Sequence, residues 1–249
     1  MLLSIKMLRI NNITKGKKFK NAVAREGKNK VITFNPKVEG TQEITVEGKL
    51  TPLPNSKKRD VLYISAPSGA GKTYWVSQYI KEYKKMYKNN EVYFISSIQY
   101  DKVIDDIKDV IRINIDEETL EHSNFELDDF TDSLVIMDDV DTITNKAIKN
   151  YIERLRDYLL EQGRHSNTSM LMTHHLLTNY KSTRIMLNES TGYILFPKVN
   201  GVKLKKFLEN YCGIGNDEYN KIKSLPTRWI YIIKDYPHYL IYEKGVYIL

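Results

Sequence analysis

The spacing of apolar positions changes character twice along the chain. From Val61 onward, short runs that are apolar at almost every position recur: Val61-Leu62-Tyr63-Ile64, Val92 to Ser96, Val110 to Ile115, Leu134-Val135-Ile136-Met137, Met170-Leu171-Met172-Thr173 and Tyr193-Ile194-Leu195-Phe196. Runs of this length without polar alternation predict strands buried on both faces. Between them the spacing becomes helical, with Trp75, Val76, Tyr79, Ile80, Tyr83 and Met86 on one face of Tyr74 to Lys88. A second helix is predicted from Asn145 to Gln162 through Ile148, Ile152, Leu155 and Leu159, with Gly163 past its end as a C-cap. Asp101 to Lys108 and Thr178 to Asn188 read as further helical segments, and Asp116 to Asp132 as acidic and irregular. Strand and helix in alternation predict an α/β fold with a mostly parallel sheet covered by helices.

The flanks depart from this pattern. Residues 1–30 mix Lys, Asn and Gly with few apolar positions after Ile13 and read as a loosely ordered arm. Val31-Ile32-Thr33-Phe34 and Glu43 to Glu47, punctuated by Gly40 and Gly48, predict short strands. Thr51 to Arg59 carries Pro52 and Pro54 and then Lys57-Lys58-Arg59, which suits a boundary. Beyond Phe196, Lys203 to Tyr211 and Asp217 to Ser224 read as helices. Trp229 to Ile233, Tyr239 to Tyr242 and Val246 to Ile248 form an antiparallel meander broken at Asp235-Tyr236-Pro237 and Lys244-Gly245. Three domains are therefore expected: 1–58, a basic arm with short strands; 59–198, the α/β core; and 199–249, C-terminal helices and meander.

Chemistry concentrates where the first buried strand meets its helix, in Ser65-Ala66-Pro67-Ser68-Gly69-Ala70-Gly71-Lys72-Thr73. A triphosphate needs converging backbone N–H donors, and small residues let the chain wrap that closely. In such a P-loop Lys72 reaches the β- and γ-phosphates and the Thr73 hydroxyl holds Mg²⁺. Ala66, Pro67, Ser68, Gly69, Ala70, Gly71, Lys72, Thr73 and Tyr74 are the candidate nucleotide-binding residues, with Ala66 where the usual pattern has Gly.

The apolar run ending at Met137 delivers Asp138-Asp139, and in P-loop enzymes a buried strand brings an acid to the metal beside the phosphates. Asp138 fits that role, and Asp139 stands where a general base activates water. Thr173-His174-His175 ends the next strand, on the side of an open parallel sheet where ligands bind. Either His174 or His175 can report on the γ-phosphate, but adjacent residues of an extended chain face opposite sides, so only one does so. Arg164 and Arg184 flank that strand as candidates for an arginine finger. Arg154 and Arg156 read as a solvated helix face. His122, His165 and His238 lack metal-ligand spacing. Asn145-Lys146-Ala147-Ile148 lacks the Asp a guanine reader needs, and the region after Phe196 offers lysines rather than the arginines of a kinase lid.

Charge adds a partner. Residues 1–60 hold 14 Lys or Arg against 5 Asp or Glu, a net of +9, while the remainder holds 24 against 26, a net of −2. A basic excess confined to one end points to a polyanion. The single cysteine, Cys212, reads as a packing residue, and no run approaches the roughly 18 apolar residues that span a bilayer. A soluble, intracellular protein is expected.

Pro67 to Thr73, the Asp138-Asp139 strand, Gly163-Arg164-His165-Ser166-Asn167-Thr168-Ser169 and Thr173-His174-His175 resemble the genome-packaging ATPases of large double-stranded DNA viruses and virophages, within the FtsK-HerA superfamily. The similarity covers about Val61 to Pro197. In that family a polar residue, often Gln, ends the strand after the acidic one, where His174 or His175 stands here. An arginine finger acts across a ring of subunits, with Arg164 or Arg184 as its counterpart. The resemblance implies Walker A and Walker B elements, Mg²⁺-dependent ATP hydrolysis, a homo-oligomeric ring, double-stranded DNA as partner and a capsid or portal protein beside it. It places the protein in an infected cell or virion. Two other readings stay open: a nucleotide-binding switch or scaffold with little turnover, and a small-molecule kinase.

Overall fold

The computed structural model describes residues 6–12, 22–27, 30–39, 43–116, 125–235 and 238–249. Gly40, His122 and the Tyr236-Pro237 break lie outside them. The chain forms two compact units, Met1–Lys58 with Ile194–Leu249, and Arg59–Tyr193.

The N-terminal segment is more regular than its composition suggests. Strands β1 (Lys6–Asn12), β2 (Ala22–Glu26), β3 (Lys30–Glu39) and β5 (Leu50–Pro52) form an antiparallel sheet in the order β1-β3-β2-β5. Residues 6–12 and 22–26 are thus strands rather than parts of an arm. The ladder satisfies their backbone groups, and Ala22, Val23, Ala24, Val31, Ile32 and Leu50 are buried. Strand β4 (Glu43–Thr45) follows β3 in sequence and belongs to another sheet.

In the unit from Arg59 to Tyr193, β6 (Val61–Ser65) leads into α1 (Lys72–Met86). Then come β7 (Val92–Ser96), α2 (Lys102–Asp105), β8 (Ile111–Asn114), β9 (Leu134–Asp138), α3 (Lys146–Gln162), β10 (Ser169–His174), α4 (Tyr180–Glu189) and the start of β11 (Gly192–Leu195). The strands run parallel in the order β8-β7-β9-β10-β6. Every residue of β6, β9 and β10 is buried, as unbroken apolar runs require of strands covered on both faces. The expected α/β architecture is therefore present. It places the carboxyl ends of β6, β9, β10 and β7 side by side.

Local sequence explains the helices. Asn145 Oδ1 accepts from the N–H of Ala147 at 2.9 Å and of Ile148 at 3.3 Å, which starts α3. Ile148, Ile152, Leu155 and Leu159 are buried along it as their spacing predicts. Arg156 is buried too, at 5% exposure, with its guanidinium on Asp157 at 2.8 Å, so it does not belong to the solvated face. Gly163 ends the helix with φ −60°, not in a left-handed cap. Glycine stands there for room: a Cβ would lie 2.3 Å from Arg59 Nη1 and from the Leu159 carbonyl.

In the other unit, α5 (Pro197–Cys212) begins six residues before the expected Lys203, and it is bent at Gly201, whose φ is +51°. It is followed by α6 (Asn216–Ser224). Strands β12 (Ile230–Ile233), β13 (Tyr239–Tyr242) and β14 (Gly245–Ile248) pair antiparallel, and β4 joins β14. The expected C-terminal meander is thus extended by a strand from the N-terminal segment.

Candidate nucleotide-binding site

The loop between β6 and α1 is shaped by its glycines. Gly69 has φ +75° and Gly71 has φ +109° as the N-cap of α1, conformations that side-chain-bearing residues rarely adopt. Ala66 is not among the residues with positive φ, which explains why an alanine suffices at the first position. It is fully buried, and its N–H donates to the His174 carbonyl at 3.1 Å, tying the loop to the end of β10. The first N–H groups of α1 have no partner within the helix, and no side chain caps them. They form the positive end of a helix of 15 residues, the standard setting for a phosphate. Lys72 and half-buried Thr73 open that helix, and Tyr74 is 63% exposed beside them.

Lys72 is 94% buried, at 6% exposure, and its ammonium has three neighbours. It donates to the Ala66 carbonyl at 3.0 Å, lies 3.2 Å from His175 Nδ1 and sits 3.6 Å from Asp139 Oδ1. His175 Nε2 is in turn 3.0 Å from Asp139 Oδ2. A lysine ammonium only donates, so Nδ1 must accept and Nε2–H must donate to the carboxylate. The triangle therefore fixes one tautomer of a neutral imidazole.

Behind it lies a hydroxyl. Thr173 Oγ1 is 2.8 Å from Asp138 Oδ1 and 3.1 Å from Asp139 Oδ1, and it accepts the Asp139 N–H at 2.9 Å. Ser96 Oγ reaches Asp138 Oδ2 at 3.4 Å. Asp139 adopts a left-handed backbone, φ 46°, which Asp tolerates better than most residues. Burial is the main influence on Asp138 and lifts its carboxyl above the usual carboxylate range; Asp139 pushes the same way, while Thr173, Lys72 and Ser96 oppose it.

The sequence candidates separate on these facts. Lys72, Asp138, Asp139 and His175 come together at the mouth of the glycine loop. His174 does not: its ring stacks on Tyr63 at 5.1 Å and its Nε2 faces Met186 Sδ at 3.1 Å. Alternation along β10 sends Thr173 and His175 to one side and His174 to the other. Arg164 is exposed before the start of β10, close enough to Arg59 to influence its charge, so it lies at the opposite end of the strands from Lys72. Arg184 is exposed in the middle of α4. Arg164, at that far end, does not reach Lys72 within its own subunit.

Two participants were not singled out from the sequence. Thr173 was visible only as the residue before two histidines, and Ser96 only as the end of a strand. What could have marked them is position: both close parallel strands beside the strand that carries Asp138. No group of three or more potential metal-ligating side chains occurs among the described residues. The Thr73 hydroxyl and the Asp138 carboxylate are oxygen donors of the kind Mg²⁺ takes beside phosphates.

No protein-family model matches the chain. It is 34% identical over 244 residues to the uncharacterized protein V3 of the Sputnik virophage, covering 96% of this chain and 98% of that one. Among solved structures, it superposes on the cytoplasmic domain of the Thermomonospora curvata type VII secretion ATPase EccC with a TM-score of 0.53 and 10% identity, over 92% of this chain and 29% of that one. The genome packaging NTPase B204 of Sulfolobus turreted icosahedral virus 2, in complex with AMPPCP, matches over 71% of this chain and 92% of that one at 16% identity and a TM-score of 0.47. The fold is that of P-loop ATPases, and the virophage relative agrees with the resemblance read from the motifs.

Proposed function

The chain belongs to the family of the Sputnik virophage protein V3, and from that membership and the geometry at Lys72 we propose a Mg²⁺-dependent ATPase that packages or translocates viral double-stranded DNA. The observation that carries the proposal is the convergence of Lys72, Asp139 and His175 at the unpartnered N-terminus of α1, over a Thr173-held Asp138. A bound Mg²⁺ would supply charge to polarise the γ-phosphate. The protein's own residues divide the remaining work. The α1 N–H groups and Lys72 hold phosphate oxygens. Thr73 and Asp138 would hold the metal, and the cost of burying Asp138 as an anion would be offset by a cation against it. Asp139 takes the proton of an attacking water, and His175 orients Asp139 and contacts the γ-phosphate.

In this reading residues 59–198 act as the ATPase core, with 1–58 and 199–249 as the arms through which it engages DNA and other copies in a homo-oligomeric ring. A capsid or portal protein is the further partner. Arg164, far from Lys72 in its own subunit, is the better placed of the two arginines to serve a neighbouring subunit. Among the described residues no helix is long and apolar enough to cross a membrane, and a virophage relative suits a virion or an infected cell.

The test is ATP turnover with and without double-stranded DNA. Turnover that DNA stimulates, and that Lys72→Ala abolishes, supports the motor; a Lys72→Ala protein at the wild-type rate removes the enzyme. One observation favours a second reading. The Asp139 carboxylate is already held by Lys72 and His175, so the site must open before a water is activated. A switch that binds ATP and releases it largely unhydrolysed would show nucleotide affinity without DNA-stimulated turnover.

A further inference from the structure

Net charge divides sharply between the two units. Arg59–Tyr193 holds 16 Lys and Arg against 22 Asp and Glu, a net of −6, whereas the rest of the chain holds 22 against 9, a net of +13. A DNA phosphate backbone is therefore attracted to the unit that does not contain Lys72. Within that unit several described cations are already engaged. Lys30 pairs with Glu26 at 3.6 Å, Lys49 with Glu243 at 3.6 Å and Lys58 with Asp235 at 2.5 Å.

The helices α5 and α6 are different. They present Lys198, Lys203, Lys205, Lys206, Lys221 and Lys223, all exposed, against Glu209, Asp217 and Glu218. Asp217 and Glu218 lie in the first turn of α6, where they complement the helix dipole. Of the six lysines only Lys221 forms an ion pair among the described residues, with Glu43 at 2.9 Å. Helical spacing sets Lys203, Lys205 and Lys206 on the half of α5 opposite buried Leu204, Phe207 and Leu208. The helices bring their cations together: Lys198 Nζ reaches the Lys223 carbonyl at 3.2 Å, and Lys205 Nζ lies 6.0 Å from the Tyr219 ring.

We propose that the lysine face of α5 and α6, centred on Lys203, Lys205, Lys206 and Lys223, is the surface on which this protein grips the phosphate backbone of double-stranded DNA. The inference rests on the DNA-translocation reading and adds to it where the polymer lies. Uncompensated cations on adjoining helices, with no aromatic side chain exposed among them, suit sequence-independent contact with a duplex, as a packaging substrate requires.

The experiment is anisotropy of a labelled duplex titrated with the full-length protein across a salt series. Lys203→Glu/Lys206→Glu is compared with Lys81→Glu/Lys108→Glu, which makes the same change of charge at exposed lysines of the Arg59–Tyr193 unit. The first variant is expected to lose about tenfold or more in affinity and to lower the salt slope by about 2, since each phosphate-contacting lysine contributes close to one. The second is expected to change either quantity far less. ATP turnover without DNA stays at the wild-type rate in both, which shows that folding and the nucleotide site are intact. Equal losses in the two variants, or none in the first, overturn the lysine face while leaving DNA binding standing. A wild-type protein that hydrolyses ATP but binds no duplex overturns the DNA reading and this inference with it.

Discussion

Thr173 Oγ1 stands 2.8 Å from Asp138 Oδ1 and accepts the Asp139 N–H at 2.9 Å, so one hydroxyl sets both carboxylates that the adjacent strand delivers. Thr173→Val keeps the shape and removes that hydroxyl. The Asp139 N–H then loses its acceptor and Asp138 its nearest donor, at a cost of about 1–3 kcal/mol in stability. Turnover should fall roughly a hundredfold or more as the acids lose their alignment, with ATP affinity little changed. Thr173→Ser, which keeps the hydroxyl, should recover most of the rate. Equal rates for the valine and serine variants would show that the hydroxyl only packs.

The neighbouring histidines should respond in opposite ways. His175 is 34% exposed and touches Lys72 and Asp139, so His175→Ala should slow turnover steeply with little change in melting temperature. His174 is 3% exposed and stacked on Tyr63, so His174→Ala should cost about 2–4 kcal/mol through the cavity it leaves, while activity per folded molecule stays near wild type. Melting curves read beside rate measurements separate the two, and a His174 variant that is stable but inactive would contradict this assignment.

These outcomes also show what a sequence can carry. The parallel sheet was legible because buried strands leave unbroken apolar runs, and α3 because Asn145 and Ile148, Ile152, Leu155 and Leu159 all point to one helix. The strands at 6–12 and 22–26 were not, since Met7, Leu8 and Ile10 do not alternate strictly and Ala22-Val23-Ala24 is a short run, while the ladder that holds them is made of backbone bonds. In the site, the glycines, Lys72 and Asp138 stood out because phosphate and metal chemistry demand those types. Which histidine faces Lys72, and that Arg164 lies at the far end of β10, depended on strand direction and side-chain alternation relative to the loop. Gly163 reads in the sequence as a glycine after a helix, whereas its reason is the arginine packed against it from 104 residues earlier.

That arginine makes its own prediction. Arg59 donates to the carbonyls of Leu159 at 2.8 Å and Leu160 at 2.5 Å, satisfying the C-terminus of α3 with a cation where the helix dipole favours one. Burial pulls the guanidinium below its ordinary pKa. Arg59→Ala should cost about 2 kcal/mol, or about 4–8 °C in melting temperature for a protein of this size. Lysine cannot replace the fork geometry and should recover only part of the loss. Gly163→Ala, whose methyl would strike Arg59 Nη1, should give a loss of similar size. Calorimetry checks all three variants, and an unchanged melting point for Arg59→Ala would mean that water satisfies the helix end equally well.

Asp138 should limit stability while it serves function. Burial lifts its pKa, so the folded protein holds that proton more tightly than the unfolded chain does. The stability this contributes is fully present below the unfolded value of about 3.9 and is lost as pH rises toward the folded value. At neutral pH the buried carboxylate is therefore a net cost. Asp138→Asn keeps the shape, can accept from Thr173 and donate to Ser96, and removes the charge, so it should melt higher than wild type at pH 7. The difference should shrink as the pH is lowered toward 4, because wild type then becomes protonated and neutral at this position. Adding Mg²⁺ with ATP should raise the wild-type melting point and narrow the gap from the other side, since a cation against Asp138 offsets the burial cost. The asparagine variant should gain less from the metal and should not turn over ATP. If Asp138→Asn melts below wild type at pH 7, with a difference that does not vary with pH, the carboxylate is stabilised by its hydrogen bonds more than it is destabilised by burial, and its place as a metal ligand loses this support.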